Sequence, residues 1–122
     1  MRLFRLIAIA AIVGAFLAVP QFASGASNFT AYVACGYRAS KPPATSCPKS
    51  GRIGAFFRSN NATVYFRTCV TFPNGQSICT SKSKATKGQF YVNKLTVGST
   101  GTLKVRWKSG GVVVASYSIQ VT

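Results

Sequence analysis

The chain has 122 residues, of which 15 are Lys or Arg, and it contains no Asp, Glu or His. This composition excludes paired carboxylates, Ser-His-Asp and Cys-His arrangements, and carboxylate-bound Ca²⁺ or Mg²⁺. We therefore expect a protein that is not an enzyme and that uses no cofactor or metal. Because no acidic side chain can neutralise the cations, they must face water, carbonyl groups, aromatic rings or an external anion.

The first 26 residues predict a secretory signal peptide. A positively charged start, MRLFR, is followed by a short apolar run at residues 6–19 and then by small residues. Cleavage after Ala26, or one residue earlier, would leave residues 27–122 as one domain of a secreted protein with no membrane span. The alternative is an uncleaved membrane anchor, for which the apolar run is short.

Alternation of apolar and polar residues, rather than helical periodicity, dominates the rest of the chain. The pattern predicts strands at 30–37, 52–59, 61–72, 77–81, 89–97, 103–108 and 112–121, with turn-rich segments at 39–50, 81–88 and 98–101. The apolar positions change parity between Val92 and Leu95, which predicts a bulge or a bend there. About seven short strands at this spacing predict an all-β, antiparallel β-sandwich.

The four cysteines predict two disulfides, because an even number of cysteines in a small exported chain usually forms cross-links. Their spacing suits neither a zinc site nor a Cys-x-x-Cys redox pair. In residues 69–79 a Pro-Asn-Gly turn suits a three-residue hairpin loop, which places Cys69 opposite Cys79. Cys35 and Cys47 then pair by elimination. Crossed pairings, each joining one early cysteine to one late cysteine, stay open.

The last two strands predict a second hairpin with the same kind of turn. A three-residue turn that contains the Gly-Gly pair would bring apolar side chains together on one face. The predicted pairs are Trp107 with Val113, Val105 with Ala115, and Leu103 with Tyr117. A two-residue Gly-Gly turn would place Val105 opposite Ser116 and fits the pattern less well.

Residues 101–107 (GTLKVRW) and 110–121 (GGVVVASYSIQV) resemble the closing hairpin of bacterial immunoglobulin-like domains. The resemblance implies an immunoglobulin-like β-sandwich with an extracellular role in adhesion, ligand binding or structure, and it brings no functional residues. The spacing of Cys69 and Cys79 is also similar to that in the chromoprotein antibiotic carriers related to neocarzinostatin, which are acidic and place their other cysteines differently. A carrier of a small apolar ligand is therefore an alternative.

Two groups of cations, one along a strand and one in a turn-rich segment, are the candidate binding residues. They are Lys104, Arg106 and Lys108 on the strand and Lys82, Lys84 and Lys87 in the segment. We predict that they contact an anionic cell-envelope or extracellular polymer. No motif for sequence-specific nucleic-acid recognition is present. The alternatives are charge that serves solubility alone and a cationic antimicrobial or toxin-like protein. Asn28 and Asn61 begin glycosylation sequons, which matter only in a eukaryotic host.

Overall fold

The computed structural model describes residues 28–122, so the predicted signal peptide lies outside the described residues. The described chain forms nine strands joined by turns and contains no helix, which confirms the all-β prediction for this part. The strands are β1 (Phe29–Ala34), β2 (Ser46–Cys47), β3 (Ile53–Ser59), β4 (Val64–Thr71), β5 (Ser77–Cys79), β6 (Ser83–Ala85), β7 (Phe90–Leu95), β8 (Gly101–Ser109) and β9 (Val112–Val121). Within residues 28–122 we find no helix that could span a bilayer.

The predicted number of about seven strands is too low, because two short strands lie in segments that were predicted to be turns. β2 falls within 39–50 and β6 within 81–88. Strands of two or three residues are too short to show an alternating pattern, so periodicity cannot reveal them. Each short strand is formed by pairing with a longer one: β2 pairs with the end of β9, and β6 pairs with the start of β4.

The strands form two sheets that pack face to face. β1, β3 and β7 make the three-stranded sheet, and the order β2-β9-β8-β4-β5, with β6 also on β4, makes the six-stranded sheet. β2 runs parallel to β9, so the prediction of a purely antiparallel sandwich is wrong at that edge. The chain reaches β2 by crossing from one sheet to the other. Such a connection is not a hairpin and does not impose antiparallel pairing.

Aromatic side chains from both sheets meet in the core. Phe57 of the three-stranded sheet stacks with Phe66 and Trp107 of the six-stranded sheet, with ring centroids 4.5 Å and 6.3 Å apart. All three side chains are buried. The Thr68 hydroxyl donates a hydrogen bond of 2.7 Å to Asn93 Oδ1 across the core, which satisfies both polar groups. Side chains alternate between the two faces of a strand. Because Phe66 and Thr68 of β4 and Trp107 of β8 point inward, their neighbours along each strand point outward.

The β4–β5 hairpin has the predicted register. The Phe72 N–H donates to the Gln76 carbonyl, and Gly75 adopts a φ of 92° in the turn. Cys69 therefore lies opposite Cys79, with 4.0 Å between their Cα atoms, and the two form a disulfide. The remaining two cysteines form the second disulfide, so the cross-links are the local ones and not the crossed ones.

The predicted register of the β8–β9 hairpin is wrong. The Gly-Gly pair forms a two-residue turn, in which both glycines have positive φ. A bulge beside Trp107 then adds one residue to β9, so Trp107 lies opposite Ala115 instead of Val113, and Val105 lies opposite Tyr117. The displacement is two residues, an even number, so apolar side chains still meet on the inner face.

The bulge predicted between Val92 and Leu95 is absent, because β7 pairs with β3 without a register shift. Apolar residues occur on both faces of β7, since the outer face of the three-stranded sheet is packed as well. There the rings of Tyr32 and Phe56 stack with centroids 5.0 Å apart, and Phe90 meets both rings edge-on. The change in parity therefore reflects two packed faces and not an irregular backbone.

Candidate functional site

The outward face of the six-stranded sheet collects most of the predicted binding residues. β4 and β8 are neighbours, and their register places Arg67 opposite Lys108 and Cys69 opposite Arg106. The cations of both strands alternate with buried residues, so they point away from the core. We call this surface the basic face. Its cations are Arg67, Lys82, Lys84, Lys104, Arg106 and Lys108.

The short strand β6 extends the basic face beside β4. Lys84 lies opposite Tyr65, and the Lys82 Nζ lies 5.6 Å from the centroid of the Tyr65 ring. Tyr65 is 57% exposed, so much of its side chain is accessible to a ligand. A cation held over an exposed ring keeps most of its charge available to solvent and to anions. Five of the six predicted cations thus share one surface.

Lys87 is not part of this strand ladder. It lies in the turn after β6, where its backbone N–H donates to Thr63 Oγ1 at 3.2 Å. Arg67 joins the basic face instead, although it was not among the predicted binding residues. The sequence carried a signal for it, because Arg67 lies two residues before Cys69 and therefore on the same face of the strand. Its pairing with β8 depends on strand order, which no local pattern reveals.

A cleft of about 500 Å³ opens where the β8–β9 turn meets β4 and β6. Arg67, Lys82 and Lys108 line it together with Tyr65 and the Gly-Gly turn. The Ser109 hydroxyl donates to the Tyr65 carbonyl at 2.7 Å and so ties the turn to β4. Three cations beside an accessible ring can bind an anionic group while the ring stacks on a flat part of the same ligand. We call this the hairpin cleft.

A smaller cleft of about 420 Å³ lies farther along β8. Lys104 and Arg106 line it beside the hydroxyl-bearing residues Thr71, Ser116 and Ser118. Hydroxyl groups next to cations add hydrogen-bond donors for oxyanions. Lys104 and Lys108 are four residues apart, which corresponds to about 13 Å along the strand at about 3.3 Å per residue. An extended polymer can therefore contact this cleft and the hairpin cleft together.

Electrostatic repulsion on the basic face is not offset by any acidic side chain, because the sequence contains none. Like charges directly opposite each other on a sheet, such as Arg67 and Lys108, destabilise the folded state. An anion bound between such cations removes that repulsion. The arrangement therefore favours association with anions over an empty surface.

The cysteines and two buried tyrosine hydroxyls of the described chain already have bonding partners. All four cysteines are in disulfides. Burial raises the pKa of the Tyr32 and Tyr117 hydroxyls, and the nearby charge of Arg58 opposes that rise at Tyr32. Both hydroxyls donate to backbone carbonyls, those of Ala39 and Ala44. Residues 28–122 contain no group of three or more side chains suited to hold a metal ion.

No protein-family model, curated protein sequence or solved structure matches the chain. A role for the basic face is therefore argued from its geometry and charge alone.

Proposed function

We propose that the protein is a secreted, non-enzymatic binding module that contacts an anionic extracellular or cell-envelope polymer through its basic face. One observation carries the proposal: six cations lie on one outward sheet face of a chain that has no acidic residue. Phosphate, sulfate or carboxylate groups recur along such polymers. A sheet face with two clefts along one strand can contact several of these groups at once.

The binding energy on this proposal comes largely from the release of counterions. Each cation that neutralises an anionic group of the polymer frees a condensed counterion, so affinity falls as salt is added. Six contacts to a single-stranded polyanion correspond to a slope of about −4 in log K against log salt concentration. Binding should therefore be strong at low ionic strength and weak at high ionic strength.

Secretion is supported by two independent features. Residues 1–26 have the charge and hydropathy pattern of a signal peptide, and the described domain has two disulfides. Disulfides form and persist in oxidising compartments and are typical of extracellular proteins. The ligand that we propose is found in the same surroundings.

We also infer an immunoglobulin-like arrangement, which the strand order supports. In that fold strands A, B and E lie in one sheet, and strands C, F and G lie in the other. Assigning β1, β3 and β7 to A, B and E, and β4, β8 and β9 to C, F and G, reproduces the order of both sheets. β2 is then an added edge strand. The inter-sheet disulfide of antibody domains has no counterpart here, and stacked rings occupy the middle of the core.

A binding role without catalysis is consistent with the residue types present. General acid–base catalysis relies most often on His, Asp or Glu, and none occurs in the chain. We therefore assign the lysines and arginines of the basic face to binding.

The test is binding of the secreted protein to immobilised heparin and to teichoic acid over a range of salt concentrations. K104E/R106E changes two cations of the basic face, and K49E/K87E changes the same amount of charge at two lysines outside its clefts. We expect K104E/R106E to weaken binding at least about tenfold, or about 1.4 kcal/mol. We expect K49E/K87E to retain most of the affinity.

Three results would count against the proposal. Binding that does not depend on salt would remove the electrostatic explanation. Equal losses in the two variants would show that net charge matters and that the basic face does not. Release of dye from anionic vesicles at the concentrations that support binding would favour a membrane-active cationic protein instead.

A further inference from the structure

The outer face of the three-stranded sheet carries a second group of cations, which surrounds Tyr37. The Arg52 Cζ lies 5.9 Å from the centroid of the Tyr37 ring, and the Lys94 Nζ lies 5.3 Å from it. Arg38 and Lys41 line a cleft of about 500 Å³ together with Tyr37 and Arg52. All four cationic side chains are exposed. We call this group and its cavity the Tyr37 cleft.

The segment that carries the Tyr37 cleft is held against the sheet at several points. The Tyr32 hydroxyl donates to the Ala39 carbonyl at 3.2 Å. Gly54 on β3 lies so close to this segment that a Cβ in its place would overlap with the Gly36 carbonyl oxygen. The Cys35–Cys47 disulfide joins the start of the segment to β2. The cleft is therefore formed before any ligand binds, which lowers the entropic cost of binding.

The charges of the Tyr37 cleft are not balanced within the protein. An exposed cation over the face of a tyrosine gains only a weak attraction. No acidic side chain is available to the four cations, because the sequence has none. Like charges gathered around one ring and one cleft repel one another, and salt at physiological ionic strength screens this repulsion over about 8 Å. One phosphate or sulfate group in the cleft would offset this repulsion at several cations together.

The Tyr37 cleft and the basic face point in opposite directions. Lys94 lies opposite Gly54 on the outer side of the three-stranded sheet, while the inner sides of both sheets meet in the core. We infer that the protein has two polyanion-binding surfaces and that it bridges two strands of an anionic polymer. The inference rests on the function proposed for the basic face and adds a second site for the same ligand chemistry. Linked sites on one domain also raise the overall avidity.

The first test counts binding sites per chain by calorimetry with a short heparin oligosaccharide at low salt. We expect two oligosaccharides per wild-type chain and two per K49E/K87E chain. We expect one per chain for R52E/K94E, which changes both cations over Tyr37. For K104E/R106E we expect one site of unchanged affinity and one site weakened at least about tenfold. Counting per chain separates a second site from self-association, because a dimer with one site per chain still binds one oligosaccharide per chain.

The second test measures cross-linking of long heparin by light scattering. Wild type and K49E/K87E should produce large particles near charge equivalence, and R52E/K94E should bind heparin without producing them. Circular dichroism and thermal unfolding establish that each variant is folded. If R52E/K94E does not fold, R52Q/K94Q carries the test with the same expected direction, because it removes both charges without adding new ones.

Each contrary result has a definite meaning. Two oligosaccharides on R52E/K94E, with cross-linking as in wild type, would overturn the inference. One oligosaccharide per wild-type chain, lost only in K104E/R106E, would also overturn it and would leave the proposed function in place. No binding to wild type at low salt would overturn the proposed function and the inference together.

Discussion

The two outer faces of the sandwich support their cations in different ways. On the basic face the cations stand directly on strands whose alternate residues fill the core. On the three-stranded sheet several cations instead lie over aromatic rings, Arg52 and Lys94 over Tyr37 and Arg58 over Phe90. Arg58 shows this, since its Cζ lies 4.6 Å from the centroid of the Phe90 ring and its Nε donates to Asn60 at 2.7 Å. A basic surface can thus be built by strand alternation or by additional aromatic packing. Only strand alternation leaves a two-residue period in the sequence.

The largest expected difference between the faces concerns their aromatic side chains. Phe56 on the three-stranded sheet is 1% exposed, so Phe56→Ala should lower the free energy of unfolding by about 3–5 kcal/mol by leaving a cavity. Tyr65→Ala on the basic face should change it by less than about 1 kcal/mol, because that side chain is mostly exposed. Urea unfolding followed by tryptophan fluorescence measures both values. Similar losses would remove the distinction between the faces.

Removal of each disulfide is the next comparison. The cross-links close loops of similar length, with sequence separations of 12 and 10, so C35A/C47A and C69A/C79A should each cost about 2–3 kcal/mol. Only C35A/C47A should speed amide hydrogen exchange at residues 36–41, since that bond holds the segment of the Tyr37 cleft. Unchanged protection there would mean that contacts with the sheet hold the segment without the disulfide.

Substitution of two glycines extends the comparison, with smaller expected changes in the free energy of unfolding. Gly54→Ala should cost about 1–3 kcal/mol, because its Cβ meets the backbone of the segment above the three-stranded sheet. Gly75→Ala should cost about 1 kcal/mol, because the space is open and only its positive φ opposes a side chain. Gly54→Ala should also weaken the oligosaccharide site of the Tyr37 cleft, which calorimetry measures. A site of unchanged affinity would show that the cleft does not need this close approach.

A still smaller effect is expected in alkaline solution. Burial raises the pKa of the Tyr32 hydroxyl, and the charge of Arg58 opposes this more weakly. The unfolded chain then loses this proton first, at the ordinary pKa of about 10. The stability linked to Tyr32 is complete below that pH and is lost as pH rises through the folded-state pKa. Tyr32→Phe should therefore show a shallower loss of unfolding free energy above pH 10 than wild type, whereas parallel curves would assign the loss elsewhere.

The smallest change is expected between about pH 4.5 and pH 7, where Asp, Glu and His are the side chains that ordinarily titrate. The chain has no Asp, Glu or His, and its cysteines are in disulfides. Thermal unfolding midpoints at constant ionic strength should therefore be nearly the same across this interval for wild type and for R52Q/K94Q, which introduces no acidic residue. A marked dependence on pH in this range would require a titrating group that the side chains do not supply.

The structural features that could be predicted from the sequence are those with a local sequence pattern. The Pro-Asn-Gly sequence favours a three-residue turn over a two-residue Asn-Gly turn, and the structure has the register of the three-residue turn, with Cys69 opposite Cys79. The Gly-Gly pair admits turns of two or three residues, and the observed register also needs a bulge beside Trp107. That bulge depends on how the inner faces of the two sheets pack. The sequence of the hairpin alone carries no information about that packing. The parity of the hairpin was still correct, because an even shift leaves the buried side chains buried.

The candidate sites divide in the same way. Alternation along one strand is enough to place Lys104, Arg106 and Lys108 on one surface. The neighbouring Arg67 requires knowledge of strand order. The Tyr37 cleft could not be predicted, because its cations come from the segment after β1, from the residue before β3 and from β7. No spacing in the sequence relates residues so far apart along the chain.

The amino-acid sequence alone determined a β-domain and the side of each long strand that carries charge, and it favoured the pairing of Cys69 with Cys79. These features depend on turn chemistry and on a two-residue period, which act over a few positions. Tertiary structure decided the strand order, the parallel β2–β9 edge and the meeting of four cations around Tyr37. Such features depend on which surfaces pack together across the whole domain, so they have no local pattern to reveal them.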